Sequence, residues 1–184
     1  MLDLQPVLNG SRIALRPLEL SDFDALASAA ADPLAWAQHP DPSRGTRAGF
    51  ALAFEEALRS KGCLVAVDSE LETAIGWSRY HTYLPLERVT IGHTFLARSH
   101  WGGAANAEMK RLMLRHAFTD VPEVRFTVAE RNLRSRRAVE KLGAQLAGTE
   151  DTPRWGQLHV MYRLTPELWR SAAAPGYGPE PPMA

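Results

Sequence analysis

Residues 100–118 read HWGGAANAEMKRLMLRHAF. Gly102 and Gly103 stand directly before a run with helical spacing. A helix N-terminus carries unpaired backbone N–H groups and the positive end of the macrodipole. Glycines just ahead of it let an anion approach the backbone closely. By itself the pattern fits a tight turn as well as a phosphate cradle. No Gly-Lys-Ser/Thr follows, so it is not a nucleotide P-loop, and G-x-G-x-x-G is absent, so it is not a dinucleotide fingerprint.

Elements on either side place this stretch between two strands. Upstream, CLVAVD (63–68), TAIGWSRYHTY (73–83) and RVTIGHTFLA (88–97) are strand-like and separated by short polar or Pro-containing turns, which predicts an antiparallel meander. Downstream, EVRFTVA (123–129) is a strand, NLRSRRAVEKLG (132–143) a helix ending at Gly143, and AQLAGTE (144–150) and QLHVMYRLT (157–165) two closing strands. Because the helix from about Ala105 to Thr119 crosses over between them, the strands at 91–97 and 123–129 are expected to be parallel. Nearer the start, Ile13 and Leu15 alternate with Arg12, Ala14 and Arg16, a short half-buried strand ended by Pro17. Ser21 with Asp24 three residues later reads as a capping box opening a helix. A Pro-rich loop over 32–45 carries Trp36 and His39. Phe50, Phe54 and Leu58 then define a second helix, stopped by Gly62. The order predicts a single α/β domain over residues 9–170. Its sheet is mixed and mostly antiparallel, with a central parallel pair and flanking helices. The Pro-, Gly- and Ala-rich residues 171–184 read as a disordered tail.

Composition narrows the function. The chain has 184 residues, 45% hydrophobic and 23% charged, with 21 basic and 21 acidic residues. A zero net charge argues against nucleic acid as the main ligand. A single cysteine, Cys63, excludes an intrachain disulfide framework and a cysteine zinc site. With no basic start and long apolar run at the N-terminus, a cytoplasmic chain is expected. No run of about 18 apolar residues occurs, so no membrane helix is expected. The histidines and carboxylates show no metal-ligand spacing, and no Gly-x-Ser-x-Gly elbow marks a serine hydrolase.

Two motifs in the right order carry a resemblance. WGGAANAEMKRLMLRHAF (101–118) and NLRSRRAVEKLGA (132–144) resemble the GNAT superfamily of acyl-CoA-dependent N-acetyltransferases. They are most similar to its ribosomal-protein N-terminal acetyltransferase branch (RimJ/RimL type). Trp101, Gly102, Asn106, Glu108, Lys110, His116, Ala117 and Phe118 match the first motif of that branch. Asn132, Arg134, Ser135, Arg137, Ala138, Glu140, Leu142, Gly143 and Ala144 match the second. GSRIALRPL (10–18) resembles its first strand and VMYRLTPELW (160–169) its last.

The resemblance implies that the strands at 91–97 and 123–129 splay, and that acetyl-CoA lies in the gap as cosubstrate, with no metal. Its pantetheine arm would pair with Phe95, Leu96 and Ala97, whose backbone N–H groups would serve an oxyanion. Its pyrophosphate would sit on Arg98, Trp101, Gly102, Gly103, Ala104, Ala105 and Asn106, with Asn132, Ser135 and Arg137 nearby. The acceptor would be an amine, of a small molecule or a protein N-terminus, and the protein a monomer or homodimer.

Departures from the family pattern are specific. The tyrosine that often protonates the leaving thiolate aligns with Val139, leaving Ser135 as the hydroxyl near the thiol. The glutamate that often serves as base is replaced by Thr90. His93 and Glu87 are the remaining candidate bases, set against packed and solvated readings respectively. An α-amine of pKa near 8 is about a third neutral at about pH 7.5, a cost of about 0.6 kcal/mol, whereas a lysine amine costs about 4 kcal/mol. A weakly basic amine is therefore the expected acceptor. Lys110 reads as a surface charge or a phosphate contact, and His116 as a packed histidine. Arg131, Arg134, Arg136, Arg137 and Lys141 form a basic helix face that also suits the 3′-phosphate of CoA. Trp36, Trp77 and Tyr80 read equally as acceptor lining or core. Two alternatives stay open: a CoA-binding or sensing module with weak or no catalysis, and a transferase using another donor such as succinyl-CoA.

Overall fold

In the computed structural model, residues 1–82, 88–152, 157–172 and 178 are described. Their strands form one eight-stranded sheet in the order β1-β2-β3-β4-β5-β6-β8-β7. These are β1 (Leu8–Asn9), β2 (Ile13–Pro17), β3 (Cys63–Asp68), β4 (Thr73–Thr82), β5 (Arg88–Leu96), β6 (Glu123–Ala129), β7 (Gln145–Thr152) and β8 (Gln157–Leu164). The helices are α1 (Phe23–Ala30), α2 (Arg47–Arg59), α3 (Ala105–Ala117), α4 (Leu133–Glu140) and α5 (Pro166–Arg170).

Every strand pairing is antiparallel except β5 with β6. That exception follows from the α3 crossover, which returns the chain in the same direction. The mixed sheet with one parallel pair is the architecture expected from the order of elements.

The sheet has an apolar cluster on each face. Along β3, Leu64 and Ala66 belong to one cluster and Cys63 and Val65 to the other. This is the period-two alternation of a strand covered on both sides. α1 and α2 close one face around Phe50, Phe54, Trp77 and Phe95, with Phe50 stacked on Trp77 at 5.1 Å and Phe95 edge-on to Trp77 at 4.9 Å. α3 closes the other with Met109, Met113 and Ala117, joined by Val139 of α4 and Trp169 of α5.

Some boundaries differ from the sequence reading. Ser21 does not cap α1. Asp22 instead accepts the Glu19 N–H at 2.9 Å and pairs bidentately with Arg16 at 2.6 and 2.8 Å. A carboxylate that binds a guanidinium and a backbone donor at once outcompetes a serine hydroxyl. The stretch 160–169 is not all strand. β8 ends at Leu164 and Thr165 caps α5, accepting the Leu168 N–H, with Pro166 in the first turn. The 32–45 loop contains two 3-10 turns, Pro33–Ala35 and Pro42–Gly45. Tyr83 and Glu87, and all of the 171–184 tail apart from Ser171, Ala172 and Gly178, lie outside the described residues.

Candidate active site

The site is a gap in the middle of the sheet. β5 pairs with β6 only through Arg88↔Glu123, Val89↔Val124 and Thr90↔Arg125. Beyond Thr90 the strands part, although β5 stays paired with β4 as far as Leu96 and β6 with β8 as far as Ala129. A sheet interior with unpaired backbone edges is a slot for an extended ligand.

A bulge in β5 opens it. Trp77 faces Phe95 and Arg79 faces Gly92, so three steps on β5 match two on β4. The extra length falls at His93, whose φ is +49°. One residue in the left-handed region re-aims the side chains around it. Just past β5, the Ala97 N–H donates to Ile75 O at 2.7 Å. By the alternation of backbone groups along a strand, Leu96 then faces away from β4 and toward the gap. Of the three backbone N–H groups assigned to an oxyanion, Ala97 is thus committed inside the sheet and Leu96 is turned toward the slot. The Leu96 carbonyl accepts the Trp101 indole N–H at 2.9 Å, which fixes the turn between β5 and α3.

At one end of the gap lies the N-terminus of α3. Ala104 occupies the cap position with φ −76° and no side-chain cap. Its methyl group is therefore compatible with the turn. Gly102 has φ +71°, a conformation glycine adopts without strain. A Cβ on Gly102 would meet nothing within 4 Å, and one on Gly103 only His100 O at 4.0 Å. Backbone donors of the first turn and open space above them coincide, which fits a phosphate cradle. Arg98 is exposed and pairs with Asp32. Asn106 is half-buried in the first turn of α3.

α4 reaches the same loop. The Arg134 guanidinium lies 3.8 Å from the Trp101 ring centroid and donates to Ala35 O at 3.0 Å, and the Arg134 N–H donates to Gln38 Oε1 at 3.2 Å. One arginine thus joins α4, the loop ahead of α3 and the 32–45 loop. Asn132 is buried and accepts the Ser135 N–H at 3.1 Å, so its side chain caps α4. Ser135 is half-buried in the first turn of α4. Arg137 is exposed, whereas Arg136 is committed to Tyr162 and Glu130. Val139 is buried in the core, so no acid occupies the tyrosine position.

On the other side of the bulge, the His93 ring packs 4.8 Å from that of His81. Loss of water, then His81, Arg79 and Arg44, hold the His93 pKa well below that of a free imidazole. The residue as a whole is exposed, so solvent weakens this effect; its downward direction still leaves the ring neutral at pH 7. His81 and His39 are also pushed down, each to about 4, chiefly by burial. An imidazole that holds a proton so poorly is a weak acceptor from an amine. Thr90 is half-buried within the short parallel pairing.

Three expectations are settled by burial. Trp36, Trp77 and Tyr80 are core residues, and the Tyr80 hydroxyl donates to Met113 O at 2.7 Å. His116 is a packed histidine, its Nε2 2.7 Å from Asp3 O. Lys110 is neither a surface charge nor a phosphate contact. It is 5% exposed, with Nζ donating to Ser78 Oγ at 3.0 Å and Thr94 Oγ1 at 2.5 Å. Glu108 is likewise buried and anchors the N-terminal segment, accepting from Ser11 N and Oγ at 2.6 and 2.9 Å and from Arg12 N at 3.2 Å. Cys63 is buried with its thiol pushed up to about 12, which leaves no thiolate for nucleophilic attack. Among the described residues, no group of three or more His, Cys, Asp or Glu is placed to hold a metal ion, and no helix is long and apolar enough to cross a membrane.

Residues 12–145 match the model of the acetyltransferase (GNAT) domain. The chain belongs to the GNAT family. Against the curated proteins the sequence finds no match. Solved GNAT-like structures share the fold across most of the chain. A GCN5-related N-acetyltransferase from Brucella melitensis superposes with a TM-score of 0.80 at 17% identity, covering 91% of this chain and 82% of that one. A putative acetyltransferase from T. thermophilus is 28% identical, with a TM-score of 0.74 over 90% of this chain and 92% of that one. Mycobacterium smegmatis RimJ, solved in complex with CoA-disulfide, is 18% identical with a TM-score of 0.69, covering 93% and 92%. Membership of the GNAT family supports acyl-CoA-dependent N-acyltransferase activity in general terms.

Proposed function

We propose that the protein moves an acetyl group from acetyl-CoA to a primary amine by direct attack. The observation that carries this reading is the coincidence of two features. The sheet opens between β5 and β6 after Thr90, and an uncapped helix N-terminus with open space above Gly103 stands beside that opening. The extended pantetheine arm suits the first and the pyrophosphate the second. Leu96 offers its backbone N–H toward the slot, its carbonyl being taken by the Trp101 indole. Arg98, Trp101, Gly102, Gly103, Ala104, Ala105 and Asn106 would surround the phosphates, and Arg137 is exposed and able to meet a further phosphate. Phe95 and Ala97 hold the strand edge in place, and Asn132 holds Ser135 where its hydroxyl can serve the thiol. His93, neutral, lines the acceptor side. Glu87, outside the described residues, stays in this reading as a second candidate base. Burial of Cys63 favours direct attack over a covalent acyl-enzyme.

The branch resemblance, together with the likeness to RimJ, favours a protein α-amine as acceptor. An α-amine also demands least of a site that has Thr90 in place of a carboxylate, since only about 0.6 kcal/mol of deprotonation is needed. A cytoplasmic location accords with the lone, buried thiol. Thiol release from acetyl-CoA, followed across N-terminal peptides, small primary amines and lysine side-chain amines, tests the reading. Faster release with α-amines than with lysine amines is expected. A preference for lysine amines overturns the acceptor assignment.

Val139 and Thr90 favour a second reading, a CoA-binding module that has lost catalysis. It predicts tight CoA binding with no turnover on any amine.

A further inference from the structure

Lys110 is a buried lysine whose amine is held by hydroxyls. Its Nζ lies under the β5 bulge, 3.0 Å from Ser78 Oγ and 2.5 Å from Thr94 Oγ1, and these hydroxyls are themselves 2.8 Å apart. A lysine is rarely buried unless it is paired, because removing the ammonium from water is expensive. The charged groups on the neighbouring elements are engaged elsewhere. Glu108 on α3 binds Ser11 and Arg12 and lies 3.8 Å from Arg111, while Arg79 beside Ser78 lies 3.6 Å from Glu56. His93 beside Thr94 packs on His81 and is neutral. Among the described residues the amine therefore meets hydroxyls and no carboxylate, and burial pushes its pKa down to about 7. Thr94 is the link outward. It is an exposed residue of β5, four residues beyond Thr90 where the strands part, and its Oγ1 touches Lys110.

We infer that Thr94 and Lys110, steadied by Ser78, form a relay that takes the proton from the acceptor amine, in place of the carboxylate missing at Thr90. This rests on the acyltransfer reading. As the amine nitrogen bonds to the thioester carbonyl carbon it becomes positively charged. One of its N–H bonds breaks and the proton passes to Thr94 Oγ1. The hydroxyl proton of Thr94 passes in turn to the lone pair of Lys110 Nζ. When the C–S bond breaks, the electron pair leaves on sulfur. Lys110 then returns its proton through Thr94 to the thiolate or to water. The sum is one amide, one thiol and an unchanged lysine. In this scheme Thr94 is the group that meets substrate and Lys110 a positioning residue that acts through it.

The test compares wild type with Lys110→Met, Thr94→Val and Thr94→Ser, each checked for fold and CoA affinity. Wild-type kcat with an α-amine peptide is expected to rise with pH through an inflection near 7, the pKa of the Lys110 amine. Lys110→Met and Thr94→Val each lower kcat about 10²-fold at neutral pH and abolish the inflection, with CoA affinity unchanged. Thr94→Ser keeps both rate and inflection. A Lys110→Met protein with the wild-type rate and pH profile overturns the relay, as does a Thr94→Val protein with them should Lys110→Met fail to fold. If the wild type acylates no amine, it is the acyltransfer reading that fails, and the lysine is judged by carbon NMR of its ε-methylene. An amine that titrates near 7, and shifts in Thr94→Val, supports the pairing. One that stays charged to about pH 10, as a free lysine does, overturns it.

Discussion

The guanidinium of Arg134 lies 3.8 Å from the centre of the Trp101 ring. Through this contact α4 steadies the turn that leads into α3, while Trp101 holds the end of β5 by donating to Leu96 O. A cation over an indole contributes about 0.5–2 kcal/mol, depending on how dry the site is. Arg134→Ala is therefore expected to weaken CoA binding several-fold in titration calorimetry and to lower the unfolding midpoint slightly. Arg134→Lys restores only part, because a lysine does not stack as a planar group does. An Arg134→Ala protein with wild-type CoA affinity would remove α4 from the control of this loop.

Gly102 and Gly103 should respond differently to substitution. Gly103→Val places its side chain in open space, so the fold should be unaffected while CoA affinity drops at least tenfold. Gly102→Val must in addition hold a β-branched residue at φ +71°, which costs roughly 1–2 kcal/mol. Calorimetry and urea unfolding on both variants separate blocking of the phosphate site from backbone strain. Unchanged CoA affinity in Gly103→Val would sink the cradle.

Glu108 fastens the N-terminal segment to α3 through backbone and hydroxyl donors of Ser11 and Arg12. Hydrogen bonds to a charged group contribute about 1.5–3 kcal/mol. Glu108→Ala should cost about that much in unfolding free energy, with Glu108→Gln recovering part. Gly10 sits against the same carboxylate, where a Cβ would come within 2.6 Å of Oε1, so Gly10→Ala should also destabilise. Equal stability of Glu108→Ala and wild type would contradict the latch.

Stability should vary with pH in two windows. His39 and His81 have folded pKa values of about 4, below their ordinary 6.5. Between these values the unfolded chain binds protons that the folded chain refuses, so stability falls as pH drops from about 6.5 to 4. Lys110 acts in the same sense higher up. Its folded pKa of about 7 lies below the ordinary 10.5, so stability rises as pH climbs between them. Unfolding midpoints across pH are expected to show both slopes. His81→Gln should reduce the acid slope, and Lys110→Met should remove the alkaline one while stabilising the protein most at pH 7 and below. Unaltered slopes in these variants would mean that other groups carry the linkage.

What could be read from the sequence, and what could not, divides along physical lines. The parallel β5–β6 pair follows from Gly-Gly, a helical run and the EVRFTVA strand, because a crossover helix fixes direction. The uncapped N-terminus of α3 is visible as Ala104 and two glycines. The roles of Lys110 and Glu108 are not. Both look like outward charges, but α3 is covered by the N-terminal segment on one side and by the bulge on the other, and each cover is distant in sequence. The bulge at His93 is equally hidden, since no glycine occupies the left-handed position. Asn132 stands out in the sequence only as part of a motif, and its role as the cap of α4 shows once the fold sets the Ser135 N–H against its side chain. Arg134 becomes more than a solvated charge only once the fold brings Trp101 against it.

The central claim, that this GNAT domain transfers an acyl group to an amine, is tested most directly by counting products. Amide and free thiol are measured together after mixing the protein with acetyl-CoA and a set of α-amine peptides, alongside Gly103→Val. The account predicts one amide for each thiol, formation of both only when amine and acetyl-CoA are present, and a large loss in Gly103→Val at low acetyl-CoA that high acetyl-CoA restores. A wild-type protein that binds acetyl-CoA yet forms no amide with any amine would contradict it.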